Sequence, residues 1–253
     1  MINPDTAGLT LAAGAALVAG AVNAIGGGGT LVSFPALLFL GYPPLTANVT
    51  NTVGLLPGYA GGSLAYREEL AGQSARVRYL GVVSGAGAVL GALLLTRTAP
   101  AAFSAVVPWL ILVACALLLV QPALATVLAS PRPEREQHRA PLLVLGQLFA
   151  GTYGAFFGAG FSVMMLGILG LFIRDDLQRL NALKGALSLI VTAIAALYFA
   201  VFGPVAWTVI AVMAPASLAG GVAGVALARR LNATVLRAII VAFGLAVAVR
   251  LLV

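Results

Sequence analysis

The chain has 253 residues, 61% hydrophobic and 8% charged, with a net charge of +7 and a mean hydropathy of +1.07. A soluble domain carries about 25% charged residues, so this composition excludes one and points to an integral membrane protein. The basic residues sit in short loops between apolar runs, so they read as topology determinants and not as a nucleic-acid surface.

A helix needs about 20 apolar residues to cross a bilayer. Taken in order, the candidates are 7–25, a short piece 34–41, then 45–65, 79–95 and 99–129. Pro108 and Pro122 are expected to kink or end the last of these. After a polar stretch at 130–139 come 141–157, a short piece 162–172, then 180–202, 204–228 and 233–253. The polar stretch divides the chain into a first transmembrane repeat, 1–129, a cytoplasmic linker, 130–139, and a second repeat, 140–253. Met1–Asp5 has no basic residue ahead of the first apolar run, so a secretory leader is not expected there.

The first break is Gly26-Gly27-Gly28-Gly29-Thr30. Four glycines disfavour a continuous helix and let bare backbone approach a ligand. Ser33-Phe34-Pro35 can restart a helix, with Ser33 as N-cap and Pro35 in the first turn. A weaker copy, Gly158-Ala159-Gly160-Phe161-Ser162, lies in the second half. Interrupted apolar segments at matching places in two halves point to a transporter's binding site. Close packing between helices is the plainer use of such glycines.

The basic residues choose between two topologies. If each interrupted segment crosses once, Lys and Arg divide evenly between the two sides, against the positive-inside rule. If each is a re-entrant hairpin, every Lys and Arg except Arg97 and Arg250 falls on one side. The hairpin reading is therefore preferred. Each half then has one glycine-broken segment and three spanning helices, and the second half runs opposite to the first. The expected fold is an all-α polytopic membrane protein built as an inverted repeat, with both termini on the non-cytoplasmic side.

A short helix starting inside the membrane aims free N–H groups and its positive dipole end at the interior. Two such starts form an anion site without a full charge. The residues there are Gly27, Gly28, Gly29, Thr30 and Ser33 in one half, and Gly158, Gly160 and Ser162 in the other. On the next helices, Asn48, Asn51 and Thr52 share a face, as do Asn181, Lys184 and Ser188. Aligning Asn48 with Asn181 sets Asn51 against Lys184. Lys184 either faces the interior as part of a site or snorkels to the interface. The asparagines either line a cavity or bond between helices. No Asp or Glu lies in mid-segment, which suits an anionic substrate and disfavours coupling through a membrane carboxylate. Cys115 is the single cysteine and His138 the single histidine, so neither a disulfide framework, a metal site nor a cofactor is expected.

The run Ala21-Val22-Asn23-Ala24-Ile25-Gly26-Gly27-Gly28-Gly29-Thr30-Leu31-Val32-Ser33-Phe34-Pro35, followed by Ala47-Asn48-Val49-Thr50-Asn51-Thr52, resembles the sulfite exporter TauE/SafE family, also called toluene sulfonate uptake permeases. Gly158-Ala159-Gly160 and the duplication extend the similarity over nearly the whole chain. The resemblance implies a bacterial inner-membrane carrier for sulfite, sulfonates, sulfoacetate or related oxyanions. That family is usually described as two related four-helix units; the hairpin count departs from this and rests on the charge distribution.

The expected function is a carrier for small oxyanions, sulfite or an organosulfonate such as sulfoacetate. An anion channel of the same build, or a membrane scaffold without transport, are the competing readings. No metal cluster, Ser/His/Asp set or carboxylate pair supports an enzyme. The expected partners are a small anionic substrate and the lipid bilayer, with a homodimer allowed. The topology is checked by single-cysteine labelling of intact cells after Cys115 is replaced. Cysteines at Ser74 and Gln137 should label only once the membrane is permeabilised; external labelling at both overturns the hairpin topology.

Overall fold

The computed structural model describes residues 4–129, 140–228 and 233–252. The expected linker and the basic residues Arg132, Arg135, Arg139, Arg229 and Arg230 lie outside the described residues. Within them the chain forms helices and no strand. The helices of the first half are α1 (Thr6–Ile25), α2 (Thr30–Phe39), α3 (Pro44–Ala65), α4 (Ser74–Arg97) and α5 (Pro100–Ala129). Those of the second are α6 (Ala140–Phe156), α7 (Phe161–Phe172), α8 (Leu177–Phe202), α9 (Trp207–Ala228) and α10 (Ala233–Leu252).

Local sequence explains most of the boundaries. Asp5 caps α1 by accepting the Gly8 N–H at 2.8 Å, and Asp176 caps α8 by accepting that of Gln178 at 2.8 Å. Pro44 opens α3 at a position where a missing N–H costs nothing. Gly27 and Gly28, with φ of 89° and 97°, turn the chain out of α1 through the left-handed region.

Three sequence expectations need correcting. Ser33 is not an N-cap: α2 starts at Thr30, and the Ser33 hydroxyl bonds back to the Gly29 carbonyl within the helix at 3.3 Å. Pro35 accordingly lies in the second turn and not the first. Of the kink or end expected at Pro108 and Pro122, the end does not occur: α5 runs through both for 30 residues.

Among the described residues six helices are long and apolar enough to cross a membrane: α1, α4, the Pro100–Ala123 part of α5, α8, the Trp207–Gly224 part of α9, and most of α10. The protein is a multi-pass membrane protein. α3 has the length, at 22 residues, but Asn48, Thr50, Asn51 and Thr52 lower its hydropathy. These polar groups are tolerated because α3 is packed among α1, α8 and α9.

α2 folds back along α1. Gly29 lies against the Ala19 carbonyl and Leu40 against Gly8, so both helices traverse the same eleven residues in opposite directions. α7 folds back along α6 in the same way, with Phe161 against Gly154 and Ile168 against Gly146. At 10 and 12 residues, α2 and α7 are about 15 and 18 Å long, well short of a ~30 Å hydrocarbon core.

The pairings of the two halves correspond. α1 packs on α9 as α6 packs on α4, and α3 packs on α9 as α8 packs on α4. α2 meets α10 as α7 meets α5, while α3 pairs with α8 and α5 with α10. The long seams are backbone against backbone. A Cβ on Gly20 would stand 2.2 Å from the Ser217 carbonyl, and one on Gly91 2.1 Å from that of Thr152. Small residues permit this approach where no hydrophobic effect drives helices together.

An ionic clamp ties the α3–α4 connection to the α7–α8 connection. Asp175 is held by Arg76 and by Arg179, whose Nε donates to it at 2.8 Å. Gln73 is buried and donates to the backbone carbonyls of Glu69 and Arg179, both at 3.0 Å. Partial burial pushes the Asp175 carboxyl up, but the Arg76 hydrogen bond, the Asp176 N–H and the two guanidinium charges outweigh it and hold the group below its ordinary value. A depressed carboxylate contributes stability above its unfolded pKa, about 3.9, and loses it as pH falls through the folded value. The arginines are more than a third exposed, so the contribution is on the order of 1 kcal/mol or less. Asp175→Asn should therefore lower the Tm at pH 7 by at most about 2–4 °C, a difference that closes in acid. Equal Tm values at pH 7 would remove the clamp from the stability account.

Candidate functional site

The two turns meet inside the bundle. Gly27 abuts Ser162 at the start of α7, and Gly158 faces Thr30 at the start of α2. Phe34 and Phe157 close the contact edge to face, with ring centroids 5.4 Å apart.

Four side chains complete the backbone bonding of these turns. Asn23 Oδ1 accepts the Gly29 N–H at 2.8 Å, which caps α2 from outside the helix. Gln121 Nε2 donates to the Gly26 carbonyl at 3.1 Å. In the second half, Asn48 Nδ2 donates to the Phe156 carbonyl at 2.9 Å, and the Tyr153 hydroxyl donates to the Ala159 carbonyl at 2.9 Å. Asn48 on α3 therefore serves the other half's turn. Asn51 Nδ2 reaches Thr30 Oγ1 at 3.5 Å, the outer limit of a hydrogen bond, and Thr52 bonds back to the Asn48 carbonyl at 3.0 Å.

Lys184 lies elsewhere. It is 4% exposed, so it does not snorkel, and its ammonium donates to Asn181 Oδ1 at 3.3 Å. It lines a cavity of about 20 Å³ together with Asn23, Tyr59, Ser63, Tyr66, Asn181, Ser162 and Ser188. Among the described residues of the lining there is no carboxylate. Ser162 and Ser188 lie 3.4 Å apart, and the Asn23 Nδ2 is buried with no hydrogen-bond partner. The cavity thus gathers one cation, one unpaired amide donor and several hydroxyls at the start of α7.

Of the residues the sequence predicted, Ser162, Asn181 and Lys184 line this cavity. Thr30, Asn48, Asn51, Thr52 and Gly158 gather where the turns touch and are not among the residues that line this cavity, Asn51 reaching Thr30. Ser33 is fully buried inside α2. Gly28 packs on Leu118, Gly29 on the Ala19 carbonyl and Gly160 on Ala114, which are close-packing roles. The N–H groups of Gly29, Leu31, Val32 and Ser33 already donate within the protein. The sequence reading missed Asn23, Tyr59, Ser63 and Tyr66. Asn23 carried a usable signal: an isolated amide one turn before a glycine break can cap the helix that follows it.

A family model described as sulfite exporter TauE/SafE matches residues 12–251. The chain belongs to this family. It is 28% identical over 243 residues to a probable membrane transporter protein, ORF9, of a Sinorhizobium species, covering 94% of this chain and 90% of the relative. It is 29% identical over 228 residues to a probable membrane transporter protein of Haemophilus influenzae, covering 88% and 86%. No solved structure matches. TauE/SafE membership and the names of both relatives make this chain a membrane transporter.

Asn23 joins the cap of α2 to the cavity, and two substitutions separate the roles. Asn23→Ala removes both and should destabilise by about 1–2 kcal/mol, the usual cost of a lost cap. Asn23→Asp keeps an acceptor for Gly29 but replaces the free donor with a negative charge facing Lys184. Its Tm should stay near wild type while transport falls more than tenfold. Wild-type transport by the Asp variant would leave Asn23 with the capping role alone.

Proposed function

We propose that this protein is a bacterial inner-membrane carrier for small oxyanions, sulfite or an organosulfonate such as sulfoacetate. The observation that carries the reading is Lys184: a buried cation with no carboxylate in its cavity, beside the unpaired Asn23 amide and the Ser162 hydroxyl. Such a site favours an anion, because a full charge in an apolar interior otherwise goes uncompensated. The family description names sulfite export, in agreement with the chemistry of the cavity.

The anion is held on the Lys184 side of the two turns, next to the start of α7, where the helix dipole adds to the charge. At about 20 Å³ the cavity has room for roughly one water. An oxyanion enters only when the turns move apart, so the described state is a closed one. The correspondence of packing between the halves supports a repeat, and the distribution of Lys and Arg supports an inverted one with both termini on the non-cytoplasmic side, in which the halves alternate in opening.

A channel of the same build shares these residues, and flux separates the two. In proteoliposomes offered sulfite, sulfate, sulfoacetate and taurine, a carrier saturates and exchanges whereas a channel conducts. Lys184 contributes roughly 4 kcal/mol of attraction at 4 Å and an effective dielectric of 20, before desolvation. Lys184→Met should weaken the affinity for the best substrate ten- to a hundredfold, and Lys184→Arg should weaken it less. Unchanged affinity in the Met variant removes Lys184 from the site.

A further inference from the structure

The glycine turn borders a second cavity that shares no lining residue with the first. It measures about 100 Å³ and lies between the turn, α5 and α10. Gly26, Gly27, Leu118, Gln121, Leu236 and Arg237 line it. Among the described residues Arg237 is the one charged residue there, and Gln121 the one other polar side chain. The Arg237 side chain is partly exposed, but its Nε is buried and has no hydrogen-bond partner among the described residues. Gln121 has its amide N–H on the Gly26 carbonyl, so its Oε1 is the one side-chain acceptor among the described residues of the wall, and none of these is a carboxylate.

A buried guanidinium N–H left without a partner is costly. The structural solution in proteins is a partner with two oxygens, matched to the Nε–Nη fork. The cavity has about five times the room of the Lys184 cavity, enough for a four- or five-atom group. We propose that this cavity is a second oxyanion site, in which Arg237 binds the oxygens of either a small inorganic oxyanion or a lipid phosphate headgroup. The same turn whose Gly27 abuts Ser162 in the first site forms the wall of the second. The proposal stands on Arg237 and does not depend on Lys184 binding the transported anion.

The test uses the full chain in nanodiscs of zwitterionic lipid, with radiolabelled sulfate as the probe. Lys184→Met serves as the background, so that remaining sulfate binding reports the second site. In that background, Arg237→Gln should weaken sulfate binding at least tenfold, and Arg237→Lys should weaken it less because the charge remains without the fork. A second arm measures phosphatidylglycerol retained by the purified wild type and by Arg237→Gln. Sulfate binding that depends on Arg237 identifies a free anion as the ligand. Retained lipid that falls at least twofold in Arg237→Gln, without Arg237-dependent sulfate binding, identifies a headgroup. If a well-folded Arg237→Gln, judged by its elution profile and Tm, changes neither quantity, the site is overturned. If only Arg237→Lys folds, wild-type sulfate binding and wild-type lipid retention in that variant overturn it equally.

Discussion

A peptide group exposed to hydrocarbon has no water to bond to, so irregular backbone inside a membrane protein must find its partners within the protein. The architecture of this chain follows from meeting that demand at two places. The turns between α1 and α2 and between α6 and α7 break their helices in the interior, and each leaves peptide groups outside any helical ladder. Asn23, Gln121, Asn48 and Tyr153 bond to those groups. Their positions on α1, α5, α3 and α6 show why so many helices must converge on so small a region.

One of the side chains that satisfy the turns also lines the Lys184 cavity. An asparagine has an acceptor and a donor end, and Asn23 uses only the acceptor on Gly29. The donor is left without a partner in a residue that borders the cavity. The bonding of the turn and the chemistry of the cavity are thus joined in one residue. The glycines act mainly through their bareness: Gly27 lets the first turn touch Ser162, while Gly29 lets α2 lie against the carbonyl of Ala19.

Helix positions were legible because apolar runs and glycine breaks are local signals. The doubling back of α2 and α7 was legible less directly, through the distribution of arginines. Lys184, Asn181 and Ser188 could be grouped because one helical face carries all three. Asn23, Tyr59 and Tyr66 could not, because Asn23 is isolated on α1, Tyr59 lies two turns beyond the polar face of α3 and Tyr66 follows the end of that helix, so they meet at the cavity only through tertiary packing. The start of α2 was misread at Ser33 for a related reason. Its cap comes from Asn23, outside the helix, so no capping residue is needed where the helix begins. Asn48 and Asn51 were rightly singled out as polar, yet their partners lie on turns whose positions depend on the fold as a whole.

The duplicated scaffold carries an unduplicated charge. Where α8 has Lys184, the corresponding face of α3 has only the neutral Asn48, Asn51 and Thr52. A carrier with two equivalent halves would hold its cargo equally well whichever way it faced. In the carrier proposed above the cation belongs to one half, so the two facing states would differ in electrostatic grip and in how readily they let the anion go. Directionality would then be written into the binding site itself, as a rectifier built from two near-identical parts by the addition of one ammonium group.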